Sequence, residues 1–129
     1  MTKNLKISNV VEVRCQVTTL DSYLSKYNEK ISFIKCDVEG AELQVFQGAQ
    51  KILIRDTPVV FTEMLRKWCA KYNYHPNDII GLFAQLGYQC YAIRDSRIAA
   101  CAYISDQTIE TNFLFLHQVS HATLLAELV

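Results

Sequence analysis

Three carboxylates, Asp37, Glu39 and Glu42, stand close together around a lone glycine, Gly40. A fourth, Glu63, ends the run Pro58-Val59-Val60-Phe61-Thr62-Glu63. Carboxylates grouped in this way suit general acid–base work. Asp37 and Glu39 are two residues apart, so in extended chain they point the same way. Gly40 then lets the backbone turn tightly into a helix. A plain structural role fits the same residues: Asp37 as a helix cap, with Glu39 and Glu42 near the positive helix N-terminus. Spacing alone favours that structural role. Lys35, on the same face as Asp37, reads as a solvated tip. His75 precedes Pro76 and reads as a loop or cap residue. His117 and His121 have metal-compatible spacing but no third ligand nearby, which argues against zinc. Trp68, Tyr72 and Tyr74 read as packing residues.

The elements that must position these acids follow from periodicity. Val10–Val17 alternates and is β-rich, which predicts a strand. Thr18 and Asp21 have capping-box spacing. Leu20, Tyr23, Leu24 and Tyr27 then form one helical face. Ile31–Cys36 predicts a buried strand. A second helix opens near Ala41, with Leu43, Phe46, Ala49 and Leu53 on one face. Val59–Thr62 is a β-branched run typical of a parallel strand. Leu65, Trp68 and Tyr72 suggest a short helix. Pro76 and Gly87 bracket another, with Ile79, Phe83 and Leu86 inward. Strands are expected at Tyr88–Ile93, Ile98–Ile104 and Asn112–His117, and a last helix at Ser120–Leu128. The order β-α-β-α-β-(α)-α-β-β-β-α predicts a mixed α/β fold, mostly parallel with an antiparallel C-terminal edge. In such sheets ligands bind at the C-terminal strand ends, where Asp37, Glu39 and Glu63 fall.

Composition sets the remaining limits. The chain has 129 residues, half of them hydrophobic and 20% charged, so it can bury a core. Thirteen basic and thirteen acidic residues cancel, which gives no sign of nucleic-acid or anionic-membrane binding. The N-terminus is polar and no run has the length and apolarity of a membrane span. Cys15, Cys36, Cys69, Cys90 and Cys101 are odd in number and widely spaced. They read as inert thiols in a reducing cytoplasm. No G-x-G-x-x-G, Walker or G-x-S-x-G motif is present.

Thr19-Leu20-Asp21, then Lys35 and Asp37-Val38-Glu39-Gly40-Ala41-Glu42, then Gly48-Ala49 and Glu63, resemble the FkbM family of methyltransferases. Leu86–Tyr91 and Asn112–Phe115 resemble the family's closing strands, so the likeness spans about residues 10–117. The resemblance implies a Rossmann-like fold and methyl transfer from S-adenosylmethionine, mostly to the oxygen of a sugar or another hydroxylated small molecule. It implies Asp37 as the catalytic residue facing the donor methyl, and Glu39 and Glu63 as substrate-binding residues. Cofactor-binding residues remain unassigned, because the family's earlier glycine-rich half has no counterpart. Residues 1–129 therefore read as a single, incomplete domain lacking the N-terminal cofactor-binding half. Three expectations follow: weak cofactor affinity for the isolated chain, an open sheet edge at Ile31–Cys36, and self-association through that edge. The rival reading is a non-catalytic half-domain or remnant that pairs with another chain.

Overall fold

The computed structural model describes residues 9–128. In chain order its elements are α1 (Leu20–Tyr23), β1 (Phe33–Cys36), α2 (Glu42–Gln47), α3 (Gln50–Asp56), β2 (Val59–Glu63), α4 (Arg66–Ala70), α5 (Pro76–Gln85), β3 (Tyr88–Arg94), β4 (Arg97–Ala100), β5 (Asn112–His117) and α6 (Ala122–Leu128). The strands form one sheet in the order β1-β2-β5-β3-β4.

The sheet is mixed, but its balance differs from expectation. Only β1 and β2 pair in parallel, with Phe33 opposite Val59 and Cys36 opposite Thr62. The β2–β5, β5–β3 and β3–β4 pairs are antiparallel. The reason lies in β5, which follows β4 without a helical crossover and inserts between β2 and β3. Antiparallel pairing is thus the body of the sheet and not merely its border. β1 forms one edge, and β4 forms the other.

The strand register assigns the two faces. Cys36, Val60, Phe115 and Cys90 point into the core, together with Phe113 and Ala92. They meet Phe46 of α2, Leu53 of α3, and Ile79 and Phe83 of α5, all fully buried. Phe83 is the hub. Its ring stacks on Phe115 at 4.1 Å and takes edge contacts from Phe46 at 4.8 Å and Tyr88 at 5.2 Å. Each such aromatic side chain, buried, contributes about 1.5–3 kcal/mol. Tyr88 keeps its polar end satisfied by donating to the Pro58 carbonyl at 2.7 Å. The opposite face is less covered: at the β1 edge, Phe33 is 57% exposed.

Several local expectations are corrected. Residues 10–17 form no strand, and their valines are exposed, Val17 to 95%. Strand propensity reflects packing against neighbouring strands, which this segment lacks. The first helix ends at Tyr23 and is capped by Thr19, whose Oγ1 accepts the Ser22 N–H at 3.1 Å; Thr18 does not cap it. Asp21 is turned toward α3, where its carboxylate accepts the N–H groups of Lys51 at 3.0 Å and Ile52 at 3.1 Å. The single helix expected from Ala41 to Leu53 is two helices broken at Gly48 and Ala49. A Cβ on Gly48 would lie 2.9 Å from the Thr19 side chain, so only glycine lets α1 approach here. The strand expected at Ile98–Ile104 stops at Ala100.

Candidate functional site

The C-terminal ends of the two parallel strands lie side by side. β1 leads into Asp37, and β2 ends in Glu63. Between Asp37 and α2 the chain turns through two successive residues of positive φ, Glu39 at 54° and Gly40 at 106°. A Cβ on Gly40 would stand 2.6 Å from the Trp68 carbonyl oxygen, so glycine is required by conformation and by space. Tyr74 fixes the turn from outside by donating its hydroxyl to the Gly40 carbonyl at 2.7 Å.

Glu42 fixes it from inside. Glu42 stands in the first turn of α2, as its place near the helix N-terminus predicts, but it is buried, only 3% exposed. Its Oε1 accepts the Val38 N–H at 3.1 Å, while Oε2 lies 3.5 Å from the Tyr74 hydroxyl. One signal was legible: Glu42 is four residues before buried Phe46, on the inward stripe of the helix. Tyr74 carried no comparable signal, because its partners are backbone groups 31 and 34 residues away.

The structural alternative for Asp37 is not realised. α2 begins after Ala41 without any side-chain cap. Among the described residues, the carboxylates of Asp37, Glu39 and Glu63 have no hydrogen-bond or ion-pair partner. All three line one small pocket of about 50 Å³, together with Glu42 and the half-buried Trp68. Its wall is stiffened by Lys71, whose Nζ lies 4.0 Å from the Trp68 ring centroid. The sequence thus grouped three acids that the fold does bring together.

A second concavity opens on the other side of Asp37. This groove, about 1060 Å³, runs along β1 and is lined by apolar groups including Leu20, Phe33, Ile34 and Val45. Lys35 lines it as well and is exposed, as expected of a solvated tip. Asp37 is the one described residue common to both concavities.

The other titratable candidates play supporting roles. Burial pushes the Cys36 thiol up to about 12, with the neighbouring Glu42 charge adding to it, so at neutral pH it is held almost wholly as the weakly nucleophilic thiol. His75 caps α5: its Nδ1 accepts the Asn77 N–H at 3.0 Å while Asp78 accepts the His75 N–H. His121 Nδ1 accepts the His117 N–H at 2.8 Å, and His117 Nδ1 accepts from Ser120 at 3.1 Å. Among the described residues, no group of three or more His, Cys, Asp or Glu side chains is arranged to hold a metal ion. No described helix is long and apolar enough to cross a membrane.

Comparison with known families gives one finding: residues 2–90 match the model of the methyltransferase FkbM domain. The chain belongs to that family. Neither a curated protein nor a solved structure matches it. Within the family block the residues divide physically. Asp21, Gly48 and Glu42 hold the framework, whereas Asp37, Glu39 and Glu63 present free carboxylates to the pocket.

Proposed function

We propose that this chain forms the acceptor side of an S-adenosylmethionine-dependent methyltransferase of Rossmann-like descent, acting in the cytoplasm on a hydroxyl of a small molecule or sugar. The observation that carries this reading is Asp37: an unpaired carboxylate at the end of β1, standing between a small acidic pocket and a large apolar groove. S-adenosylmethionine supplies an electrophilic methyl group, and its sulfonium makes that methyl labile, so the protein contributes mainly alignment and exclusion of water. The residues present fit that group in part. The groove offers an apolar wall, but the described residues include no glycine-rich loop for its amino-acid end.

Asp37 orients the acceptor hydroxyl and takes its proton as the oxygen attacks. Glu39 and Glu63 accept hydrogen bonds from further hydroxyls, which favours a polyhydroxylated acceptor. The test has two parts. Calorimetric titration of the isolated chain is expected to show S-adenosylmethionine binding weaker than micromolar. In a protein that carries this domain with a cofactor-binding half, Asp37→Asn is expected to leave cofactor affinity intact and lower turnover about a hundredfold. Unchanged turnover would remove Asp37 from the chemistry.

A second reading rests on the open edge of β1. There the chain is a non-catalytic half-domain whose β1 edge pairs with a second copy.

A further inference from the structure

Away from the acid pocket, two thiols face one another across the β3–β4 ladder. The register runs Arg94–Arg97, Ile93–Ile98, Ala92–Ala99, Tyr91–Ala100. One step further, the Cys101 N–H donates to the Cys90 carbonyl at 2.9 Å, so the pairing continues and sets Cys90 directly opposite Cys101. Residues opposed in this way lie on the same face. Cys90 belongs to the core cluster, and Cys101 packs against that cluster from outside.

The spacing suits a covalent bond. Hydrogen-bonded antiparallel pairs have Cα atoms about 5.5 Å apart, inside the roughly 4.4–6.8 Å that disulfides span. Their Cβ atoms start about 4.5–5.5 Å apart, so closing to the roughly 3.5–4.5 Å of a disulfide needs a shift of about 1 Å. The strand that must move can do so. β4 is a four-residue edge strand, Ala99 and Ala100 are exposed, and regular structure ends just before Cys101.

We propose that Cys90 and Cys101 form a reversible cross-strand disulfide when the chain meets a low-molecular-weight disulfide such as oxidised glutathione. Cys101, the half-buried partner, reacts first. It loses its proton, and its sulfur attacks one sulfur of glutathione disulfide. That S–S bond breaks, a mixed disulfide forms, and one glutathione leaves as a thiolate that takes up a proton. Cys90 then loses its proton and attacks the Cys101 sulfur, expelling the second glutathione in the same way. Two cysteine thiols are oxidised and one glutathione disulfide is reduced to two thiols. Burial raises both thiols above the ordinary cysteine range. The reaction is therefore slow at neutral pH and accelerates about tenfold per pH unit as thiolate appears. The product ties the free edge β4 and the chain that follows it to the core strand β3.

The sequence makes the test direct. Cleavage after Lys71, Arg94 and Arg97 places Cys90 in peptide 72–94 and Cys101 in peptide 98–129. The native chain is incubated with oxidised glutathione, its remaining thiols are blocked, and it is digested with trypsin. The expected result is a reducible 72–94/98–129 pair, with exposed Cys15 carrying glutathione separately. Cys90→Ser is expected to trap glutathione on Cys101, and Cys101→Ser to leave Cys90 unmodified. Glutathione resting on Cys101 of the native chain with no linked peptides, linkage of another cysteine pair, or no reaction at either thiol would overturn the proposal. The native-chain digest decides the matter even if a variant folds poorly.

Discussion

Replacing Glu42 by alanine should destabilise the chain far more than a surface glutamate on a short helix would suggest. The carboxylate holds the Val38 N–H at 3.1 Å inside the turn that separates Asp37 from α2. Without it, a partly buried donor loses its partner, at a cost of about 1–3 kcal/mol. Loss of one buried methylene adds about 0.8 kcal/mol. Relief of carboxylate desolvation offsets part of this, leaving a net loss of about 2 kcal/mol. With an unfolding entropy of about 2.1 cal/mol/K per residue, the melting temperature of a 129-residue chain falls by roughly 7 °C. Glu42→Gln keeps an amide oxygen for Val38 and offers its NH₂ to the Tyr74 hydroxyl, so its loss stays below about 1 kcal/mol. Urea denaturation of both variants gives the comparison. If alanine and glutamine lie within about 0.5 kcal/mol of each other, the hydrogen bond to Val38 does not hold the turn.

Asp21→Ala should cost about 2 kcal/mol by uncapping α3 at two N–H groups, and amide exchange at Lys51 and Ile52 should accelerate; unaltered exchange at those amides would refute the cap. His121 is held below the ordinary histidine range, chiefly by burial, so its contribution is complete above about pH 6.5 and is lost as pH falls through the folded value. Urea midpoints should therefore fall on mild acidification in the native chain and less in His121→Asn, whose neutral amide keeps an acceptor; equal slopes would contradict this. Asp56 is held below the usual carboxylate range by Arg55, so its contribution persists to stronger acid before it is lost. Sedimentation at rising concentration should show the native chain self-associating through the β1 edge, with Lys35→Pro, which removes an N–H facing away from β2, weakening it; a monodisperse monomer at high concentration would dismiss that contact.

The strands and the acid rim were legible because they rest on short-range patterns. Val59–Thr62 and Asn112–His117 are apolar runs that read as strands wherever they go. Asp37, Glu39 and Glu63 fall at strand ends by position alone. Long-range decisions were not legible. Nothing local to Asn112–His117 states that β5 lies against β2, and that one insertion turns a mostly parallel sheet into a mostly antiparallel one. Asp21 looked like a local cap because its partners stand about thirty residues downstream. Val10–Val17 shows the reverse error, a local strand pattern to which the fold gives no neighbour.

The central place of β5 also dictates the order in which the molecule can assemble. During synthesis, β1 and β2 emerge together as one piece, and the β3–β4 hairpin emerges as another. Neither piece touches the other within the sheet until residues 112–117 arrive. β5 then zips both sides at once, closing a loop of about fifty residues back to β2 and one of about twenty-five to β3. Folding is thus held back to a late, non-local event, and the edges of β2 and β3 stay unprotected until it occurs. In pulse-labelled hydrogen exchange, the amides that pair β2 and β3 with β5 should gain protection in a single phase, after those that pair β3 with β4.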